Sequence, residues 1–425
     1  MSSRRGALSV YVAAATTARS ADAGAVVAAV LAGTAAGGPA AGGLLAAALT
    51  IPHLVGPIAG RLLDGRTRPG PLLAAAFCWY AAFVVAAAAL LPVGVGFAAG
   101  ALAVAGCAGP LVTGGLSSRL GSVIRGGQTA QRRGQALDAL TYGVAGAVGP
   151  AIIAVAATVL SPGGALAATA GLLVLAAIPV SWLAADHTMA QRAPSRGSIF
   201  AILLRSGPLR RTSVATIGSA AALAAAPVVA AALAASRGAD PAIAAVLMSF
   251  FGVGGLVAAL ALIAHPLTGD PERLVRRGVA AVGAALLLPL AALPFPAAVV
   301  AVGCATFAAV GACSSALFAA TLAARAEYSP PGAAARVFAT VAGVKVAGSA
   351  VGVAGAGLVA RLGAVPLVLC TVAVCALTLL SVAIDATVSR RHTPTSHRPP
   401  LHPNAASHAP HADRVNGSHN GSAGP

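Results

Sequence analysis

Charged residues are few in this chain, and those that interrupt its long apolar runs mark where its chemistry must sit. Arg19 and Asp22 lie three residues apart, so on a helix they share a face and can pair. An aspartate that exchanges its partner between a proton and an arginine is a coupling device, because desolvation favours the proton and a neighbouring cation opposes it. Asp138 and Tyr142 are one helical turn apart, which aligns a carboxyl with a hydroxyl. Asp138 can relay a proton or pair with Arg133 or Arg336. Lys345 is the only lysine; it can attract an anion, repel protons or pair with Asp22. His53 follows Pro52 and can take up a proton, or serve as a hydrogen-bonded core histidine. The chemistry available is proton transfer and ion pairing. No phosphate-binding loop, HExxH pair or serine elbow is present, so the residues call for no enzyme, cofactor or metal site.

The elements that carry these residues must lie in a membrane. Of 425 residues, 58% are hydrophobic and 9% charged, and the mean hydropathy is +0.88. A water-soluble core cannot hide that much apolar surface, and disorder is excluded for the body of the chain. About 20 apolar residues span a bilayer. Such stretches predict helices at 8–32, 41–63, 70–91, 96–117, 135–159, 164–185, 212–235, 241–264, 277–296, 298–323, 334–360 and 364–387. The first run is too long for a signal peptide and reads as helix 1.

Net charge is +17, yet the basic residues lack the aromatic interleaving of a nucleic-acid surface. They cluster between alternate helices: Arg61, Arg66 and Arg68; Arg119, Arg125, Arg132 and Arg133; Arg192 to Arg211; Arg273, Arg276 and Arg277; Arg325 and Arg336. Arg237 and Arg361 alone fall on the opposite side, while Arg19 and Lys345 fall inside spans. By the positive-inside rule this places both ends in the cytoplasm, the plasma membrane of a bacterium being the expected location. The six cysteines all lie in apolar runs and read as small buried hydrophobes.

The polar stretch 186–211 splits the chain into six helices plus six. The expected organisation is an N-terminal bundle, 1–185; a linker, 186–211; a C-terminal bundle, 212–387; and a polar tail rich in His and Pro, 388–425. An internal repeat supports the split. Val144-Ala145-Gly146-Ala147-Val148-Gly149-Pro150 in helix 5 corresponds to Val346-Ala347-Gly348-Ser349-Ala350-Val351-Gly352 in helix 11. Gly146 and Gly149 offer a smooth packing face, and Pro150 can kink the helix into a hinge.

Between helices 2 and 3 the chain reads Gly60-Arg61-Leu62-Leu63-Asp64-Gly65-Arg66-Thr67-Arg68. This resembles the cytoplasmic loop signature of the major facilitator superfamily, with Gly60, Leu62, Asp64, Arg66 and Arg68 at the signature positions. Gly65 and Pro69 depart from it. Residues Gly143 to Pro150 resemble the helix 5 signature of the family's drug/proton antiporter-like exporter branch. The resemblance implies an all-α polytopic membrane protein with twelve transmembrane helices in two six-helix bundles, working by alternating access. Asp64, paired with Arg66 or Arg68 or accepting from amides at a facing helix N-terminus, would gate the cytoplasmic side.

The expected function is proton-coupled efflux of an amphipathic small molecule. Asp22 would carry or gate the proton, and Arg19 and Lys345 would tune it. The alternatives are import of a small organic anion held by Arg19 and Lys345, and a membrane sensor or scaffold using the tail. The expected partners are substrate, protons and lipid, with the chain functional as a monomer.

Overall fold

The computed structural model describes residues 2–124, 126–183, 197–236, 240, 242–292 and 299–391. The expected tail, apart from 388–391, and residues 184–196 of the expected linker lie outside them. The described chain is helical throughout. Helices α1 and α2 form one continuous run, Ser2–Thr50, broken where Gly37 and Gly38 leave helical geometry before Pro39; α2 continues to Leu63. The following helices are α3 (Pro69–Leu90), α4 (95–123), α5 (Gln128–Val159) and α6 (Pro162–Ser181). The second half contains α7 (Gly207–Ala235), α8 (Ala242–Ala264), α9 (271–292), α10 (Val299–Tyr328), α11 (Ala334–Leu362) and α12 (Ala364–Arg391).

Ten of these segments are long and apolar enough to cross a membrane, the α1–α2 run Gly6–Leu63 being counted once. Its break divides it into two spans. Helix α9, whose first turns carry Glu272, Arg273, Arg276 and Arg277, completes the twelve.

Several boundaries differ from the hydropathy reading. Some helices continue past the apolar stretch where polar residues beyond it find partners, as Arg132 does with Glu327, Arg210 with Asp385 and Arg211 with Glu272. Thus α5 starts at Gln128 rather than 135, α7 at Gly207 rather than 212, and α12 runs to Arg391. The expected linker is also partly helical, with a short helix at Ile199–Arg205. Among the cysteines, Cys304 and Cys375 are buried as expected, but Cys78 and Cys370 are exposed on the bundle surface; all six are free thiols.

Each half has its own packing. Tyr11, Phe77, Leu102 and Leu173 join α1, α3, α4 and α6. Val279, Val310 and Cys375 join α9, α10 and α12, while Val229, Phe307 and Leu367 join α7, α10 and α12. Glycines let backbones touch at equivalent places in the two halves. A methyl group at Gly149 of α5 would collide with the carbonyl of Ser20 in α1, and one at Gly352 of α11 with that of Ala221 in α7. Likewise Gly106 of α4 abuts the Leu49 carbonyl of α2, and Gly311 of α10 the Phe251 carbonyl of α8. The packing of helix 5 on helix 1 is therefore repeated by helix 11 on helix 7, the contacting glycines Gly149 and Gly352 standing one position apart in the register of the sequence repeat.

These contacts carry a stability prediction. Gly352→Val should destabilise the protein by about 2 kcal/mol or more through overpacking, lowering the unfolding temperature of the detergent-solubilised chain. Gly171→Ala, whose added methyl meets open space, should not lower it.

Candidate functional site

Three arrangements of polar side chains are built into this scaffold. The first lies inside the N-terminal half. Asp138 of α5 accepts from Tyr11 at 2.6 Å, Arg19 at 2.6 Å and Ser117 at 2.8 Å. Arg19 also donates to Ser117 at 2.8 Å and to Thr141, and its guanidinium lies 3.7 Å from the Tyr142 ring centre. Arg19 and Asp138 are almost wholly buried. Both charges are answered, so the group ties α1, α4 and α5 together and braces Tyr142 from behind.

This corrects two expected pairings: Arg19 takes Asp138 rather than Asp22, and Asp138 takes neither Arg133 nor Arg336. Spacing on α1 allows the Arg19–Asp22 pair, but the nearer carboxylate comes from α5. Asp22 instead accepts from Tyr80 of α3 at 3.0 Å, with Nε2 of His53 3.8 Å away. His53 sits in a tight 3₁₀ turn, Ile51–Val55, directly after Pro52 and four residues before Pro57. Its ring packs against Gly109 and its carbonyl against Gly343 of α11. The Nδ1 atom is buried without a partner among the described residues.

The second arrangement joins the halves at the arginine-rich face. Asp64 accepts from the Ala335 amide at 2.9 Å, the Arg336 amide at 3.4 Å and Nε of Arg336 at 2.8 Å. It therefore caps the first turn of α11 from the opposite half, where amides lack helical partners and the helix dipole favours an anion. Of the expected partners, the facing amides are used but Arg66 and Arg68 are not: Arg66 donates to the Leu62 carbonyl, and Arg68 immediately precedes α3. Gly60 lies against the Arg336 backbone, and Gly65 has φ +73°, the left-handed turn needed to present Asp64. That geometry explains the glycine that departs from the loop signature.

Burial pushes the Asp64 carboxyl up from its usual range, against the pull of Arg336 and the Ala335 amide. The contact is a latch rather than a deep trap. A second tie runs from Arg132 of α5 to Glu327 of α10 at 2.9 Å and to the Gly269 carbonyl at 3.3 Å. Asp270 beside it caps α9 through the Arg273 amide and accepts from Tyr328 at 2.7 Å. Burial raises its carboxyl, but these bonds outweigh burial and hold it below the usual range.

The third arrangement is a cavity of about 820 Å³ between α5 of the first half and α7, α8, α10 and α11 of the second. It runs along α8 from Leu256 to Ala245, from mid-helix toward the face away from the arginines. Tyr142, Gly146 and Lys345 line it; Arg19, Asp22, Asp138 and His53 do not. Lys345 lies 4.3 Å from the Phe318 ring centre and does not meet Asp22. Gly149 packs on α1 instead, and α5 runs unbroken through Pro150.

Nothing in the pattern of charges marks Tyr11, Ser117, Thr141 or Tyr80 as partners of these groups. Arg119, Arg132, Arg325 and Arg336, placed by the charge pattern in cytoplasmic segments or at helix ends, are all buried. For Arg132 and Arg325 the hydropathy windows are too short, starting after α5 begins and ending before α10 stops.

No protein-family model and no curated protein matches the sequence. Solved structures do match in shape. The human organic anion transporter MFSD10 (TETRAN) superposes with a TM-score of 0.69 at 17% identity, over 89% of this chain and 99% of that one. A bacterial homologue of the iron transporter ferroportin, in an outward-facing state, gives 0.70 at 13% identity over 90% and 99%. The Major Facilitator Superfamily transporter FucP, in the outward conformation, gives 0.64 at 13% over 88% and 97%. The fold is the major facilitator fold, twelve helices in two six-helix bundles.

The Arg19–Asp138 pair yields a double-mutant test. Arg19→Met or Asp138→Asn alone should cost about 3 kcal/mol, because each leaves a buried charge unanswered. The double variant should recover more than half of either loss in thermal unfolding of the solubilised protein.

Proposed function

We infer that this chain is a secondary transporter that moves an amphipathic small molecule through the cavity by alternating access. The carrying observation is a large, mostly apolar cavity between two bundles whose close contacts gather at one end. Asp64 with Arg336, Gly60 with the Arg336 backbone, and Arg132 with Glu327 close the basic face. Rocking the halves about the cavity would open that face and close the other. With the basic face in the cytoplasm, the sealed arrangement is the outward-open state.

The proposed energy source is a proton gradient, and the proposed direction is efflux. Asp22 is the proton site of this proposal. Asp138 is held by three donors, whereas Asp22 has one hydroxyl donor and a histidine close by. His53 shares its turn with a backbone contact to α11, which connects the state of that pair to the packing of the halves. The setting proposed is a bacterial plasma membrane, with the chain working as a monomer because it contains both halves.

Alternating access is tested by labelling. With the native cysteines replaced, Ser249→Cys should react with a membrane-impermeant maleimide from the side opposite the termini. Adding Asp64→Ala should open the basic face and slow that reaction by about threefold or more. Equal labelling from both sides, unchanged by Asp64→Ala, would overturn the reading.

Proton coupling has a separate readout. In everted vesicles, wild-type protein should release protons when offered cargo from a panel of cationic, neutral and anionic amphipaths. Asp22→Asn should reduce that release by about tenfold or more. An undiminished response would assign Asp22 to structure alone.

A further inference from the structure

The cavity and the helix ends beneath it hold more positive charge than the protein answers. Lys345 is the one charged side chain among the described residues lining the cavity, and no carboxylate shares that lining. The polar lining otherwise consists of hydroxyls, including Tyr142, Ser249, Ser314 and Thr321. One turn beyond Thr321 on α10, toward the sealed face, lies Arg325, 4% exposed. Its Nε and Nη2 have no hydrogen-bond partner among the described residues. Its guanidinium stands 5.9 Å from the Phe338 ring centre. Phe338, Leu322 and Ala139 pack together between α5, α10 and α11, forming an apolar floor.

The charged and titratable groups across from these two cations are Arg19, Asp138 and Tyr142. Asp138 is the sole acid in that set, and it is already taken by Arg19, Tyr11 and Ser117. Thus Arg19 is neutralised, while neither Lys345 nor Arg325 forms an ion pair among the described residues. Cations in an apolar interior need an anion to offset their lost hydration. Resting on the transport reading, we propose that the cargo supplies it: the cavity takes an amphipathic organic anion, such as a carboxylate or sulfonate with an apolar body. The anionic group meets Lys345 in the cavity, and the apolar body lies among the glycine and aliphatic residues of α5 and α8. Arg325 is a second cationic station behind the floor, reached when the halves part at the basic face. The anion therefore passes between two cations and is never left unpaired. Arg19, which the sequence suggests as a partner of Lys345, has no part in this site.

The test uses the full chain in lipid nanodiscs and three probe pairs matched in apolar body: benzoate with benzylammonium, naphthalene-1-sulfonate with 1-naphthylmethylammonium, and decanesulfonate with decyltrimethylammonium. By calorimetry, at least one anion should bind about tenfold or more tightly than its cation. Lys345→Met should erase that preference and Lys345→Arg should restore it. Arg325→Gln, behind the floor, should leave anion affinity within about threefold but slow exchange of the same anion across proteoliposomes by about tenfold or more. Binding of no anion, equal binding of the cation, or affinity indifferent to Lys345→Met would overturn the proposal. Unaltered exchange in Arg325→Gln would remove the second station. The binding arm does not require transport, whereas the labelling of Ser249→Cys does not depend on cargo charge, so the two readings fail separately.

Discussion

A charge carried into an apolar interior has to be answered, and the placement of helices in this protein follows from how each answer is made. Arg19 could not remain in α1 without Asp138 of α5, and Asp138 in turn draws Tyr11 and Ser117 to its remaining lone pairs. One charged pair therefore sets the relation of three helices. At the basic face the same requirement operates between halves, where Asp64 and Arg336 satisfy each other. The difference is position. The first pair is enclosed within one bundle, and the second bridges two bodies that share no covalent link there.

Backbone contact accounts for how the rest of each bundle stays together. Glycine facing a carbonyl removes the side chain that would hold two helices apart, and the matching contacts of α1 with α5 and α7 with α11 give both halves the same internal skeleton. Between the halves the contacts are also close, with Gly56, Gly60 and Gly114 against the α11 backbone and Gly343 against the His53 carbonyl, but they lie toward the basic face and leave the cavity open. Backbone contact also explains a mostly aliphatic interior with few aromatics. Close-packed helices gain dispersion contacts without bulky side chains.

Much of this architecture is legible in the residues themselves. The apolar runs, the arginine clusters and the repeat between helices 5 and 11 locate twelve helices and their two-fold grouping, because hydropathy and charge act locally along the chain. Pairings are less legible. Asp22 lies three residues from Arg19, and local spacing favours their union; the actual partner arrives from 119 residues away. Asp64 shows both sides of the limit. Its loop and its role as an amide acceptor can be read from the signature, but Arg336 becomes its partner only once α11 is docked. Arg325 was hidden for a further reason. Its neighbours in sequence look like a loop, yet α10 continues to Tyr328 and carries it inside.

The capping of α11 by a carboxylate from the other half has a consequence for solvent. The first amides of α11 and the Arg336 guanidinium are dry while Asp64 covers them. If the halves separate as proposed, those donors and the released carboxylate would need water, since no side chain of α11 caps its own N-terminus. In the proposed rocking motion, opening the basic face therefore admits water to these groups while closing the other face expels it from the cavity, so a single step hydrates one set of polar side chains and dehydrates another.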